Sequence, residues 1–263
     1  MPALAQANAA RLSTTVVPFP INQSAQVPRD TYTVRLAHDR QDIEAAQRLR
    51  FEVFNIELGV GLARSFATGR DEDEWDNSSA HLLLIEQSSR KVVGTYRLRT
   101  YENAKTPSGF YSSIKFNLGA IPAHILESSI ELERACIAKA HRNTDGMALL
   151  WQGVAEYATR HQKRYLLSCC SLISQDPLEG GRVFDLLSTE GHLHPQFRVS
   201  ARPGFKCIFY KTSENPGATD LPELFRSYLG VGASFCGMPA LDRDFRTIDF
   251  LALLDLTHLS LIV

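Results

Sequence analysis

Charged side chains occupy the middle of two predicted β-strands, and this pattern limits the folds that the chain can adopt. Over residues 91–100 the alternation places Thr95, Arg97 and Arg99 on one face of a strand. Charges at this density are costly inside a strand covered by helices unless they are paired. The alternative is an edge strand with one face in water. The chain must therefore either supply partners for these guanidinium groups or leave their face uncovered.

The second strand of this kind is predicted over residues 129–137. Glu131 and Glu133 share one of its faces, whereas Arg134 and Cys136 are predicted to point to the other. The same two interpretations apply, because carboxylates are as costly to bury unpaired as guanidinium groups.

Hydrophobic spacing predicts the remaining elements. A helix over residues 40–58 carries Ala46, Leu49, Val53 and Ile56 on one apolar stripe. This order of elements predicts one α/β (α+β) domain with a mixed central β-sheet flanked by helices. The other predicted elements are a strand at 32–36, a hairpin with strands at 81–86 and 91–100, a helix at 145–161, a strand at 164–171, a helix at 177–187, a strand at 205–211, a helix at 222–229 and a strand at 249–256.

The domain organisation is simple. Residues 1–31 are rich in Ala, Ser, Gln and Pro and are predicted to form a disordered N-terminal arm. Residues 32–263 contain neither an internal repeat nor a linker, so they are expected to form a single domain with an extended C-terminal part.

Composition excludes several classes of protein. The 28 Lys and Arg residues balance the 29 Asp and Glu residues, and the net charge of −1 gives no positive excess for binding nucleic acid. The five cysteines have no metal or disulfide spacing, which is typical of thiols in a reducing cytoplasm. Since no apolar run approaches the ~20 residues of a membrane span, we expect a cytoplasmic protein. Peripheral contact with the inner membrane is left open.

Arg50 lies at the edge of the apolar stripe of the 40–58 helix. It therefore needs an anionic partner, or its side chain must extend past the stripe into water. The loop at residues 69–77 offers such partners, although a run of this kind is by default a solvated, mobile loop. Alternatively the loop is a carboxylate cluster for a cationic substrate or for arginines. A calcium loop is disfavoured by the missing glycine and glutamate spacing. The carboxylates are Asp71, Glu72, Asp73, Glu74 and Asp76.

Motifs for other chemistries are missing from the sequence. It contains no G-x-S-x-G nucleophile elbow, no phosphate-binding P-loop and no G-x-G-x-x-G dinucleotide motif. The eight histidines do not have metal-ligand spacing. We therefore expect neither a resident metal ion nor a permanently bound cofactor, and the chain offers carboxylates and arginines as its reactive groups.

Several short motifs, taken in order, resemble the acyl-carrier-protein-dependent branch of the GNAT acyltransferases over roughly residues 32–256. Within that branch they are most similar to the ornithine N-acyltransferases of bacterial ornithine-lipid synthesis, often labelled hemolysin-like. Acyl-homoserine lactone synthases and N-acyl amino acid synthases are more distant relatives. The motifs are Leu49-Arg50-Phe51-Glu52-Val53-Phe54, Asp71-x-Asp73-x-x-Asp76, Val93-Gly94-Thr95-Tyr96-Arg97-Leu98 and Glu131-Leu132-x-Arg134, with further likeness at 148–153, 165–172, 224–229, 236–240 and 249–251.

The resemblance implies a GNAT fold whose splayed central strands admit a pantetheine arm. It also implies direct attack of a neutral amine on a thioester, with Glu131 as the general base, acting directly or through water, and with Arg97 and Arg134 as further catalytic residues. Backbone N–H groups would stabilise the oxyanion, and Cys136 would serve packing alone. The residues expected to bind or order the substrate are Arg50, Asp71, Asp73, Asp76, Arg99 and Glu133.

The acyl donor implied by the resemblance is the acyl-phosphopantetheine of acyl carrier protein. Relatives that use acetyl-CoA carry a glycine-rich loop for the pyrophosphate, whereas the segment at 142–147 keeps Arg142 and has Gly146 as its single glycine. Lys139, His141 and Arg142 are candidates for docking the acidic carrier, or they are simply solvated surface charges.

The resemblance implies transfer of a long-chain acyl group, with or without a 3-hydroxyl, to the α-amino group of an amino acid, ornithine first. The alternatives are a synthase that uses another amino acid, an acyl-homoserine lactone synthase, and a non-catalytic module that binds acyl carrier protein or lipid. The charged residues disfavour the last alternative, because an idle domain need not carry their desolvation cost.

Overall fold

The computed structural model describes residues 31–104, 109–142, 144–209 and 221–258. Within these ranges the chain forms one sheet of eight strands covered by helices. The strands, numbered in chain order, are β1 Tyr32–Leu36, β2 Ala80–Glu86, β3 Val92–Thr100, β4 Ser129–Ile137, β5 Tyr165–Leu172, β6 Ser234–Phe235, β7 Ala240–Asp242 and β8 Thr247–Asp255. The helices are α1 Arg40–Arg50, α2 Tyr101–Ala104, α3 Ala123–Glu127, α4 Thr144–Arg160, α5 Pro177–Thr189 and α6 Glu223–Gly230.

The strands lie in the order β1-β2-β3-β4-β5-β8-β6, and β7 pairs with β8. β4 and β5 run parallel, whereas the other described pairs are antiparallel. The predicted mixed sheet flanked by helices is therefore confirmed. Two of the helices begin with side-chain caps, since the side chain of Asp39 accepts from the N–H of Asp42 and that of Asp176 accepts from the N–H of Leu178.

The sheet opens between its two parallel strands. β4 and β5 are paired only from Ser129 opposite Tyr165 to Leu132 opposite Ser168. Beyond this point β4 continues to residue 137 and β5 to residue 172 without pairing to each other. The splayed central strands that the resemblance implied are thus present, and the opening lies beside the charged residues of β4.

A β-bulge in β4 changes the direction of one predicted site residue. Thr95 pairs with Cys136 and Arg97 pairs with Glu133, so two steps along β3 match three steps along β4. Arg134 takes up the extra residue with a φ of 51°. The prediction that Arg134 points away from Glu133 was therefore wrong, because a bulge interrupts the alternation of faces and turns this side chain toward the same side.

The predicted 40–58 helix is also interrupted. α1 ends at Arg50 and continues as a π-helix from Phe51 to Glu57. A π-helical turn contains about one residue more than an α-helical turn, so the spacing of the apolar stripe fails there. Ile56, predicted on the stripe, is accordingly 62% exposed.

The strand predicted over residues 205–211 is not present in its described part. The turn at Pro203 and Gly204 exists, and Gly204 has the positive φ of 91° that favours glycine. After the turn the chain makes one isolated bridge, between Lys206 and Ala240. The strand it would join, β7, has only three residues, and β7 already pairs with β8. Residues 210 and 211 lie outside the described ranges.

α4 packs closely on one face of the sheet. Its Trp151 contacts Tyr96 of β3 and Tyr228 of α6, with ring centroids 6.2 and 5.1 Å apart. Gly153 faces the strands at short range, since a Cβ atom there would lie 2.7 Å from Val34 Cγ1 and 2.9 Å from Leu82 Cδ2. The absence of a side chain at residue 153 sets the distance between helix and sheet.

The predicted N-terminal arm lies outside the described residues, apart from Thr31. Among the helices that the structure describes, none has the length and hydropathy needed to cross a membrane.

Gly153→Val should lower the free energy of unfolding by about 1–3 kcal/mol, because added methyl groups overpack the contact with β1 and β2. Gly230→Val is the matched control, since nothing lies within 4 Å of a Cβ atom at that helix end. Urea denaturation of both variants measures the difference. Equal losses would mean that the substitution acts through helix propensity rather than packing.

Candidate active site

Arg50, the last residue of α1, is fully buried against the acidic loop. Its Nη1 and Nη2 donate to the two carboxylate oxygens of Asp76 at 2.9 and 2.8 Å. Its Nε lies 3.2 Å from Asp71 Oδ2 and donates to the carbonyl oxygen of Asp71. The prediction that Arg50 needs an anionic partner is confirmed.

Arg97 of β3 is fully buried in the same cluster. Its Nη1 donates to Asp76 Oδ1 at 2.8 Å and also to Asp73 Oδ1. On the other side, Nε and Nη2 both donate to Glu133 Oε2, the former at 3.2 Å. Three carboxylates, two from the loop and one from β4, thus meet at one guanidinium.

Arg134 closes the cluster from the bulge in β4. Its Nη2 donates to Asp73 Oδ2 at 3.0 Å, and its Nε lies 3.2 Å from Asp71 Oδ2. The guanidinium also covers two aromatic rings, with Cζ 4.3 Å from the centroid of Phe245 and 4.9 Å from that of Tyr111. The bulge is what allows this side chain to reach the loop.

Together these side chains form a buried ion cluster of three guanidinium and four carboxylate groups. Burial alone would raise the pKa of Asp76, but the charges of Arg50 and Arg97 outweigh it and hold that pKa well below its ordinary value. The default interpretation of residues 69–77 as a solvated loop was wrong for its three aspartates, because arginines from three elements bury them. The members are Arg50, Arg97, Arg134, Asp71, Asp73, Asp76 and Glu133.

Asp76→Asn should lower the free energy of unfolding by about 3 kcal/mol or more, because Arg50 and Arg97 then lose a buried countercharge. Glu74→Gln is the matched control in the same loop, since Glu74 is exposed and should change stability by less than about 0.5 kcal/mol. Denaturant titration at neutral pH compares the two. Similar effects of both substitutions would contradict a structural role for the cluster.

Glu131 lies two residues before Glu133 on the same face but outside the ion cluster. Its two carboxylate oxygens accept from the backbone N–H groups of Tyr111, at 2.6 Å, and Ser112, at 2.7 Å. These donors open the 3₁₀ helix Tyr111–Ile114. Burial, and then the negative charge of Glu133, raise the pKa of Glu131 to about 8. A carboxyl group with this pKa can exchange a proton near neutral pH.

The raised pKa of Glu131 makes stability depend on pH. An unfolded Glu ionises near 4.5 and the folded Glu131 near 8, so between these values the folded state binds more protons. The free energy of unfolding should therefore fall as the pH rises from about 4.5 to about 8. Glu131→Gln should remove this contribution, which denaturant titrations at several pH values would measure. Parallel pH curves for wild type and variant would contradict the assignment.

A first cavity of about 370 Å³ occupies the opening between β4 and β5. Residues 131–137 of β4 form one wall, and Ser168, Cys169 and Ser171 of β5 form the opposite one. The carboxylates of Glu131 and Glu133 thus border a space with a largely apolar lining. The apolar residues from the π-helix and α4 are Val53, Phe54, Met147 and Leu150.

A second cavity of about 390 Å³ lies beside the acidic loop. Five carboxylates, from the loop and from the end of β7 and the segment after it, contribute to its lining, together with Arg64 and Trp75. The two cavities adjoin, since the same four residues line both of them: Tyr111, Lys115, Arg134 and Phe245. The lining carboxylates are those of Glu72, Asp73, Glu74, Asp242 and Asp244.

Lys115 is a site residue that sequence reasoning missed. It is buried, with Nζ 2.7 Å from Asp242 Oδ2 and also in contact with Asp249 Oδ2. Nζ lies 5.0 Å from the centroid of the Tyr111 ring. The negative charge of Asp249, the closest carboxylate, overcomes burial and raises the pKa of Lys115 well above its ordinary value. Asp249, a lone charge inside an apolar strand, was the available sequence signal.

Arg99 of β3 lies apart from both cavities. Its guanidinium donates to the carbonyl oxygens of Gly109 and Asn103, each at 2.9 Å, and to Ser78 Oγ at 2.7 Å. It thereby ties the segment before Tyr111 to the end of the acidic loop. Arg50, Asp71, Asp76 and Arg97 likewise line neither cavity, whereas Glu131, Glu133 and Arg134 line the first and Asp73 lines the second.

The residues expected to meet the carrier lie together where β4 leads into α4. Lys139 is exposed, and His141 Nδ1 lies 3.0 Å from the hydroxyl of Tyr32. Arg142 lines the first cavity and donates to both carboxylate oxygens of Glu57, at 2.6 and 2.7 Å. Gly146 is buried in the first turn of α4.

Part of the chain matches a known acyltransferase domain. Residues 49–152 match the model of the Acetyltransferase (GNAT) domain. Among solved structures, the AHL synthase LasI aligns with 88% of this chain and 95% of its own chain, at 13% identity and a TM-score of 0.48. The matched residues identify a GNAT domain within the chain.

Two relatives place the chain more narrowly. An L-ornithine N(alpha)-acyltransferase from Rhodobacter capsulatus is 32% identical over 241 residues, covering 88% of this chain and 92% of that protein. Another from Rhizobium meliloti is 31% identical over 242 residues, covering 86% of this chain and 80% of that protein. The chain belongs to the L-ornithine N(alpha)-acyltransferase family.

Proposed function

We propose that this protein transfers a long-chain fatty acyl group from the phosphopantetheine thioester of acyl carrier protein to the α-amino group of ornithine. The observation that carries the proposal is the pair of adjoining cavities beside Glu131 and Glu133. The first cavity, with its apolar lining, suits a thioester and the start of an acyl chain. The second, lined by carboxylates, suits a cationic amino acid.

The protonation state of the cysteines beside the first cavity supports direct attack by the amine. Cys136 and Cys169 line the first cavity. Burial raises the pKa of Cys136 to about 12 and that of Cys169 well above its ordinary value, so both remain thiols at neutral pH. Since the thiolate is the nucleophilic form, neither residue suits a covalent acyl intermediate.

The reaction forms one bond and breaks one. The neutral amine nitrogen adds to the thioester carbonyl carbon, and the carbon–sulfur bond then breaks to leave an amide and the carrier thiol. Of the two protons that the ammonium group loses, one is accepted by Glu131 and passes to solvent, and the other goes to the departing thiolate. Backbone N–H groups of β4 that face the opening are the donors for the oxyanion.

The ion cluster has a supporting part in this proposal. Arg97 fixes the carboxylate of Glu133 beside the first cavity, and Arg134 stands in the wall that both cavities share. Arg50, Asp71 and Asp76 hold the acidic loop so that Asp73 reaches the acceptor side. Arg99 fixes the segment that supplies the two N–H groups to Glu131.

The donor enters from the end of the first cavity near α4. Lys139 is exposed and available to an acidic carrier, whereas His141 and Arg142 are already engaged with Tyr32 and Glu57. Gly146, in the first turn of α4, is assigned to the contact with the pantetheine arm. The acyl-phosphopantetheine is a substrate here, and no permanently bound cofactor is part of the proposal.

Purified protein supplied with a long-chain acyl carrier protein and ornithine should yield N-acyl ornithine, detected by mass spectrometry. Glu131→Gln should lower the rate at least about 100-fold, the usual contribution of a positioned acid–base group. Glu127→Gln, an exposed glutamate at the end of α3, should leave it unchanged.

Other outcomes change the proposal in defined ways. Turnover with acyl-CoA that equals or exceeds turnover with acyl carrier protein would overturn the donor. Preferred acylation of another amino acid would change the proposed acceptor, whereas the proposed attack of an amine on a thioester would stand. Carrier binding without any amide, by folded protein, would favour a non-catalytic module.

A further inference from the structure

Glu133 stands at the point where the sheet opens. Leu132 and Ser168 are the last paired residues of β4 and β5, so Glu133 is the first residue of β4 beyond the pairing. Its side chain is only 4% exposed, and the residue lines the first cavity. A thioester held in the opening therefore lies next to this carboxylate.

Only one oxygen of Glu133 is used within the protein. Oε2 accepts from two nitrogen atoms of Arg97, whereas Oε1 is buried and has no hydrogen-bond donor among the described residues. Leaving a buried carboxylate oxygen without a donor is costly. Such an atom beside a cavity is expected to receive a donor from a ligand.

The neighbouring carboxylates differ from Glu133 in this respect. Both oxygens of Glu131 accept backbone N–H groups. Asp71 has an oxygen without a hydrogen-bond donor, but Asp71 lines neither cavity. Among the described acidic residues that line the first cavity, Glu133 alone combines burial with an unused oxygen.

The chemistry of the unused atom favours a cationic donor. A hydrogen bond from an ammonium group to a carboxylate oxygen is stronger than one between neutral groups, because both partners are charged. A ligand that brings one ammonium group to Glu133 supplies the missing donor.

We propose that Glu133 Oε1 binds the reacting α-ammonium group of the acceptor amino acid and positions it at the opening between β4 and β5. This inference rests on the proposed function and assigns different tasks to the two glutamates. Glu133, paired with Arg97, holds the amine, while Glu131 accepts its proton. The bound cation also offsets the repulsion between the two carboxylates.

The test varies the ligand and the protein together. Dissociation constants of ornithine, of norvaline, which lacks the side-chain ammonium, and of 5-aminopentanoate, which lacks the α-ammonium, are measured by calorimetry with wild type and Glu133→Gln. Glu133→Gln should raise the dissociation constants of ornithine and norvaline about 10- to 100-fold, the range for losing a hydrogen bond to a charged group. Binding of 5-aminopentanoate should stay within about threefold.

The controls separate positioning from structure. Glu127→Gln, an exposed glutamate that lines neither cavity, should change none of the three constants. Glu133→Asp keeps the charge beside Arg97 but withdraws the carboxylate by one methylene, so it should give the same selective pattern with a smaller loss. This variant decides the question if Glu133→Gln does not fold, as judged by its thermal melt.

Three results would overturn the inference. An equal loss for all three ligands would indicate a distorted cluster, and a loss for ornithine and 5-aminopentanoate but not norvaline would assign Glu133 to the side-chain ammonium. If the wild-type protein does not bind ornithine, the proposed binding site for the α-ammonium group does not exist. Turnover by the same wild-type preparation shows separately whether the proposed reaction holds.

Discussion

Asp76 binds two guanidinium groups from different parts of the chain, Arg50 at the end of α1 and Arg97 in the middle of β3. Arg50 also contacts Asp71, and Arg97 also contacts Asp73 and Glu133, but Asp76 is the carboxylate that joins the two arginines to each other. The position of the acidic loop, and with it the wall of the second cavity, therefore depends on the buried ion cluster, with Asp76 at its centre. Burying these charges costs desolvation energy, and the ion pairs between them fix the positions of the side chains.

The same face of β4 gives two glutamates opposite environments. Glu133 touches a guanidinium, whereas Glu131 touches only backbone N–H groups and is surrounded by buried residues. Two residues of separation are enough, because the ion cluster ends where the segment from Tyr111 crosses the strand. Carboxylates with separate tasks in acid–base chemistry need such a difference of environment.

Much of this arrangement was predictable from the sequence, because it follows from local patterns. The alternation that places Arg97 and Arg99 on one face of their strand survives in the fold. The same holds for Glu131 and Glu133 on the neighbouring strand, where they lie opposite the two arginines. The desolvation cost of burying an unpaired guanidinium was enough to predict a partner for Arg50. The family resemblance supplied the splayed sheet, which no periodicity reveals.

The remainder depends on contacts between distant segments. The bulge at Arg134 exists because β3 and β4 pair with unequal numbers of residues, and the π-helix exposes Ile56 although its spacing is apolar. Lys115 lies in an irregular segment, and its partner Asp249 follows 134 residues later. No local pattern joins two such residues, so the wall between the cavities could not be inferred.

That wall has a consequence for the order of events. Tyr111, Lys115, Arg134 and Phe245 border both cavities, so ligands in the two spaces would meet at these side chains. Under the proposed function, donor and acceptor occupy these adjoining spaces together in one ternary complex. Its double-reciprocal rate plots intersect, whereas an enzyme that releases the carrier before the acceptor enters gives parallel lines.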